Sequence, residues 1–276
     1  MSMVLAAENS QQLISLPEIF AAAAALVVAV VAGAPRRIRG PQRLSEKETV
    51  GDIMSIAGLG LMGWAAATAI MPKFIADFSK ITDTQALLAT TIPPLCAFLA
   101  MLPATIVIRT EGVQRLGLGL NRIPQAIWQG VLAVLVVVPL MLVAGAVNEW
   151  AWRHFHFPPH PEAHQMLQMI HDNHANRLLQ FGIVVSAVVV APLAEEMFFR
   201  GGIQTILRYS TNLPWIAVIV TSFFFAMMHQ GWTRGPIFFL GICLGYIYER
   251  TGNLWTCIIL HSLFNCSAIF LFWKFH

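Results

Sequence analysis

Long apolar runs separated by short polar stretches most constrain how this chain can fold. We place eight such runs near residues 18–35, 53–72, 86–108, 125–149, 178–199, 213–230, 235–250 and 253–273. A helix needs about 20 predominantly apolar residues to span a bilayer. Only 11% of the residues are charged, against about 25% in an ordinary soluble domain. The sequence therefore predicts an all-α, polytopic membrane helix bundle of about eight transmembrane helices.

Charge and cysteine content narrow the partners of the chain. The formal net charge of +3 is small and lies mostly in short loops, so we expect no nucleic acid partner. The four cysteines lie inside apolar runs without CxxC spacing, which is typical of small buried hydrophobes rather than of disulfides or a zinc site. The expected partner is a lipid bilayer, and the expected location is integral and multi-pass, in the inner membrane if the cell is bacterial.

The distribution of basic residues around the first apolar run predicts its orientation in the membrane. Arg36, Arg37, Arg39 and Arg43 follow the run, whereas residues 1–18 contain no Lys or Arg. A cleavable signal peptide begins with a basic segment, so we expect an uncleaved first span. Basic residues favour the cytoplasmic side of a membrane, and this places the N-terminus outside.

The loop 150–177 holds six of the nine histidines. From Pro161 onward its spacing of apolar residues predicts a short amphipathic helix lying on the bilayer surface. The pairs His160/His164 and His171/His174 have helical spacing that would also suit a metal. We prefer the interfacial helix, because few acidic residues lie nearby.

A cluster of charged residues stands at the end of the fifth apolar run. Glu195, Glu196 and Arg200 are the ionisable residues between Arg177 and Arg208, and unpaired charges in a bilayer are costly. On a helix Glu196 and Arg200 face each other in the favourable acid-before-base order. Glu195 then lies about 100° away and is left as a candidate base. The alternative is that all three form a solvated cap at the inner end of the span.

Two further short motifs lie in the last three runs. Phe225 is followed four residues later by His229, and His261 is followed four residues later by Asn265. His261 and Asn265 are one turn apart and could both donate to one small group. If each polar side chain occurred alone, we would expect it only to form a hydrogen bond between helices. Together with a free carboxylate they are the groups needed to activate water and to stabilise an oxyanion.

In order and spacing these residues resemble the motifs of the CAAX-prenyl-protease and bacteriocin-processing (CPBP, Abi-type) family of intramembrane endopeptidases. The resemblance rests on Glu195-Glu196-x3-Arg200, Phe225-x3-His229 and His261-x3-Asn265. It covers about residues 178–273, which we expect to form the catalytic bundle, and it does not cover the N-terminal spans within residues 1–149. We treat the whole chain, 1–276, as a single integral membrane domain.

The resemblance implies a glutamate-dependent hydrolase that needs no metal or cofactor. Glu195 and His229 would activate the attacking water, and His261 and Asn265 would form the oxyanion hole. The supporting residues would be Glu196 and Arg200, which orient the motif helix, and Phe225, which packs beside the site. The substrate would be a membrane-associated peptide or protein, either prenylated or unprenylated.

Two alternatives remain open. The first is a zinc-dependent metalloprotease, since Glu195, His229 and His261 amount to a His2Glu ligand set, although an HExxH motif is absent from the sequence. The second is a non-catalytic membrane protein. It would be a carrier that uses Glu195 and His229 as a proton relay, or an immunity or scaffold protein whose motifs only pack.

Overall fold

Seven main helices make up most of the described chain. The computed structural model describes residues 50–73, 82–108, 114, 116–159, 167–169 and 176–275. Within these ranges no β-strand occurs, so the all-α prediction is confirmed. The main helices are α1 (Val50–Ile70), α2 (Asp83–Ile108), α3 (Ile123–His154), α4 (Arg177–Thr211), α5 (Pro214–Met227), α6 (Arg234–Thr251) and α7 (Leu254–Phe275).

The helices correspond to seven of the eight predicted apolar runs. The run 18–35 lies outside the described residues, as do the histidine pairs of the loop 150–177. Among the described residues, five helices are long and apolar enough to cross a membrane: α1, α2, α3, α4 and α7. Several apolar helices of this kind define an integral, multi-pass membrane protein.

The sixth and seventh predicted runs form helices with a limited capacity to span a bilayer. Helix α5 has 14 residues and is therefore about 21 Å long, which is less than the ~30 Å hydrocarbon core. Helix α6 has 18 residues but carries Arg234 at its start and Glu249 and Arg250 at its end. The chain also leaves α5 at Met227, so His229 lies in the following turn rather than inside a span.

One hydrophobic core joins the two halves of the described chain. Met101 of α2 and Val137 of α3 belong to the same buried cluster as Met197 of α4, Leu244 of α6 and Leu260 of α7. Burying such side chains stabilises a fold by about 1.5–3 kcal/mol each relative to water. The N-terminal helices therefore pack directly on the helices that carry the three motifs.

The segment before α3 is fixed to the turn between α6 and α7. Gly117 adopts φ +77°, and a Cβ there would lie 2.4 Å from Asn253 Cα. Arg122 donates from Nη1 to Gly252 O (3.0 Å) and from Nη2 to Thr251 O (3.1 Å), which satisfies carbonyls at the end of α6. Such end carbonyls have no partner within their own helix, so Arg122 links α3 to α6 and α7.

Candidate active site

Helix α4 carries the two glutamates and is wound unevenly. Two π-helical segments, Ser186–Val190 and Met197–Gln204, flank an α-helical segment, Ala191–Glu196. π-Helical turns are rare in proteins overall, but those that occur are often at functional sites. They displace side chains from the ordinary helical register. Here they set the direction in which Glu195, Glu196 and Arg200 point.

Three polar side chains hold α4 against α6 at regular intervals. Arg200 Nη2 donates to Gly241 O (3.1 Å), and Gln204 Nε2 donates to Gly245 O (3.0 Å). Arg208 Nε donates to Glu249 Oε2 (3.3 Å), which is 1% exposed as a side chain. Each pair is 41 residues apart in sequence, so donors and acceptors follow the same four-residue spacing. We call these contacts the α4–α6 ladder.

Glu196 is fully buried and contacts two side chains, those of Arg200 and His261. Its Oε1 accepts from Arg200 Nη1 at 2.9 Å, and both side chains are 0% exposed. The same oxygen lies 2.9 Å from His261 Nδ1. A buried carboxylate is costly in free energy unless it is paired. The sequence predicted only Arg200 as a partner, and the structure adds His261 from α7.

The contact with Glu196 determines which nitrogen of His261 carries a proton. A carboxylate accepts, so Nδ1 carries the donated hydrogen and Nε2 is the nitrogen left for other chemistry. That Nε2 lies 3.9 Å from Glu195 Oε2. The second oxygen of Glu196, Oε2, has no hydrogen-bond partner among the described residues.

Glu195 differs from its neighbour in both partner and exposure. Its side chain is 20% exposed, against 0% for Glu196. The 3.9 Å separation from His261 Nε2 is an electrostatic contact rather than a hydrogen bond. Glu195 is therefore the carboxylate of the pair that small molecules can reach.

His229 is oriented by the backbone of its own motif. Its Nδ1 lies 2.8 Å from Phe225 O. A carbonyl only accepts, so Nδ1–H is the donor and Nε2 of the neutral ring is left as an acceptor. A histidine in this tautomer can take a proton from water.

Phe225 is the aromatic centre of the site and is fully buried. Its ring centroid lies 4.8 Å from that of His229 and 5.9 Å from that of His261. Arg200 Cζ lies 4.7 Å from the Phe225 centroid, a distance typical of a cation–π contact. This one ring thus contacts members of all three motifs.

Asn265 and His261 contact different parts of α4. Asn265 Nδ2 donates to Ala187 O at 2.8 Å, within the first π-helical segment. Ser186 next to it accepts from Thr91 Oγ1 of α2 at 2.7 Å. His261 and Asn265 therefore do not share a hydrogen-bond partner among the described residues. One N–H of the Asn265 amide is used by Ala187 O, and the other has no partner in the described part of the chain.

A cavity of about 120 Å³ lies beside Glu195 and His229. These two are the ionisable residues among those that line it, and α4 also contributes Ala194, Phe198 and Phe199. The remaining walls come from α1 and α2 and from the residue before His229; they are Gly60, Leu61, Trp64, Ala97 and Met228. A carboxylate and an imidazole thus share an otherwise apolar cavity.

Three features of this site were not predicted from the sequence. The contact of Glu196 with His261 and the α4–α6 ladder join residues far apart in the chain, for which a single sequence carries no signal. The cavity walls from α1 and α2 lie outside the resemblance altogether. Phe198 and Phe199 lie between Glu196 and Arg200 in the sequence. Their position inside the first motif is therefore a signal that they lie near the site.

The zinc alternative can be compared with the side-chain geometry. Among the described residues, no group of three or more His, Cys, Asp and Glu side chains is arranged to hold a metal ion. Glu195 and His261 approach each other to 3.9 Å, while His261 Nδ1 is already bound by Glu196.

The described helices bring two carboxylates and two histidines together within a bundle of apolar helices. Residues 177–267 match the family model for Rce1-like proteins, type II CAAX prenyl endopeptidases. The match confirms the resemblance found in the sequence and supports a CAAX-type intramembrane protease. No curated protein and no solved structure gives a significant match to the chain.

Proposed function

We propose that this chain is an intramembrane endopeptidase that hydrolyses peptide bonds with a water activated by Glu195 and His229. The observation that carries the proposal is that these two residues are the ionisable side chains of one cavity, whose other walls are apolar. Such walls exclude bulk water and strengthen electrostatic interactions within the cavity. The family match over residues 177–267 supports the same reaction class.

The first step is addition of water to the peptide carbonyl carbon. His229 Nε2 is free to accept a proton, because Nδ1 donates to Phe225 O. Glu195 orients the water as a second acceptor, and the hydroxide oxygen bonds to the carbonyl carbon. The carbonyl π electrons move to oxygen and form a tetrahedral oxyanion. General bases of this kind contribute about 10²–10⁴-fold to rate.

The oxyanion needs donors, and His261 supplies one only in a particular protonation state. Its Nδ1–H already donates to Glu196, so Nε2–H exists only in the imidazolium form. Glu196 lies 2.9 Å from Nδ1 and Glu195 lies 3.9 Å from Nε2 of this ring. The second N–H of Asn265 completes the oxyanion hole. Collapse of the intermediate then returns the proton from His229 to the leaving amine and breaks the C–N bond.

Paired substitutions test this proposal. Glu195→Gln and His229→Ala should lower kcat by at least about 100-fold in purified protein reconstituted in liposomes, assayed on libraries of prenylated and unprenylated peptides. The matched controls are Glu149→Gln and His154→Ala, on α3 and away from the cavity lining, and they should retain full activity. Peptide cleavage that survives both site substitutions would contradict the proposal.

Metal dependence is tested separately. We propose that catalysis proceeds without a metal, because no three His, Cys, Asp or Glu side chains of the described residues are arranged to hold an ion. Full activity in a strong chelator, with no zinc found by elemental analysis, is the expected result. Loss of activity in the chelator and its return with zinc would establish the metalloprotease alternative.

A further inference from the structure

The cavity beside Glu195 and His229 is partly built by helices that the family match does not include. Helix α1 contributes Gly60, Leu61 and Trp64, and α2 contributes Ala97, whereas the match covers residues 177–267. These walls are therefore a feature of this chain beyond the matched catalytic segment. They surround the place at which the scissile bond would have to lie.

The close approach of α1 and α2 depends on two glycines. A Cβ at Gly60 would lie 2.6 Å from Met101 Cγ, and one at Gly63 would lie 2.8 Å from Cys96 O. Small residues at such crossings let helices approach closely in membranes. The α1–α2 pair is thereby held as a unit, and Trp64 has a fixed position relative to Ala97.

The size of the cavity limits what it can receive. An engineered apolar cavity of about 150 Å³ binds benzene, and the cavity here measures about 120 Å³. One branched aliphatic side chain or one small ring therefore fits this volume.

We propose that Trp64 and Ala97 form a subsite that selects, by size, one apolar side chain of the substrate peptide next to the scissile bond. This inference rests on the proposed endopeptidase function and deepens it. Ala97 leaves the space that the side chain occupies, and Trp64 limits its length. A change in either residue should alter which side chain is preferred without altering the catalytic groups.

The experiment is a comparison of kcat/KM over fluorogenic peptides in which one residue flanking the scissile bond is Ala, Val, Leu, Phe or Trp. Trp64→Ala should raise kcat/KM for the Phe and Trp peptides by about tenfold or more relative to the Ala peptide. Ala97→Leu should lower kcat/KM for the Leu and Phe peptides by a similar factor, because one methylene in an apolar pocket changes selectivity by about 10–200-fold.

Further variants keep the test decisive. Ala97 is 4% exposed, so Ala97→Leu could disturb folding; Leu61→Ala, at a side chain 58% exposed, enlarges the same cavity with little effect on packing. Met62→Ala, on α1 and 67% exposed, is the control and should keep the wild-type preference.

The outcomes separate the two proposals. Cleavage by the wild type with the same peptide preference in Trp64→Ala, Leu61→Ala and Ala97→Leu would overturn the subsite alone. A wild type that cleaves no peptide would overturn the proposed function, and the subsite with it.

Discussion

Glu196 Oε1 and His261 Nδ1 lie 2.9 Å apart in the buried centre of the bundle. The contact joins α4 to α7 and uses the same oxygen that binds Arg200. A residue expected to stabilise its own helix thus also orients a histidine on another helix. Glu196 and Glu195 are adjacent in sequence but have different structural surroundings.

The substitution Glu196→Gln should destabilise the protein strongly. It leaves the fully buried Arg200 without its counter-charge, and breaking a buried pair costs about 3–5 kcal/mol. The loss of stability is measured by unfolding the protein in detergent with increasing concentrations of denaturant. Glu195→Gln, the same substitution one residue earlier, should cost less than about 1 kcal/mol, because that side chain is partly exposed. Equal losses in the two variants would contradict the assignment.

Phe225→Leu should lower both stability and kcat. It removes the contact with Arg200 and the ring contacts with His229 and His261, at a cost of about 1–2 kcal/mol. Both histidines would lose a neighbour that restricts their orientation. Thermal unfolding and single-turnover kinetics measure the two effects. Phe224→Leu, at an adjacent ring 49% exposed, should leave both unchanged; a fall in both variants would argue against a specific role for Phe225.

Asn265→Ala should separate an oxyanion donor from a purely structural residue. Loss of the bond to Ala187 O should cost about 1 kcal/mol of stability. Loss of an oxyanion donor should lower kcat by about 10²–10³-fold with KM nearly unchanged. Ser267→Ala is the control, since its Oγ bonds only Leu263 O of its own helix. A stability loss with unaltered kcat would remove Asn265 from the oxyanion hole.

Gly117→Ala should destabilise the connection between the two halves of the chain. Alanine at φ +77° costs about 1–2 kcal/mol, and its Cβ would overlap Asn253. Gly58→Ala is the matched control, because a Cβ there meets nothing within 4 Å and alanine favours a helix by up to about 1 kcal/mol. Thermal unfolding should rank Gly58→Ala at or above wild type and Gly117→Ala well below; the reverse order would contradict the described turn.

The helices and the motif residues could be predicted because their signals are local. Hydrophobicity over about 20 residues identifies a span, and four-residue spacing places Glu196 beside Arg200. The short α5 could not be predicted, since apolar residues continue past Met227 through Met228 although the helix ends. After this turn His229 lines the same cavity as Glu195, a tertiary relationship that no local pattern reports.

The partners of the motif residues could not be predicted for a similar reason. His261 was expected to act beside Asn265, because four-residue spacing on a helix puts both on one face. The packing of α4 against α7 adds contacts that this spacing does not show, between His261 Nδ1 and Glu196 Oε1 and from Asn265 Nδ2 to Ala187 O. Likewise, no local pattern marks Trp64 or Ala97 as neighbours of Glu195.

The π-helical segments of α4 make the number of residues as important as their identity. Deleting one residue within Met197–Gln204 would turn a wide π turn into an ordinary α turn and move the side chains of that turn out of their present register. Arg200 and Gln204 lie in this segment, so their hydrogen bonds to Gly241 O and Gly245 O would be weakened. This segment, in which six of the eight residues are buried, should therefore tolerate neither an insertion nor a deletion.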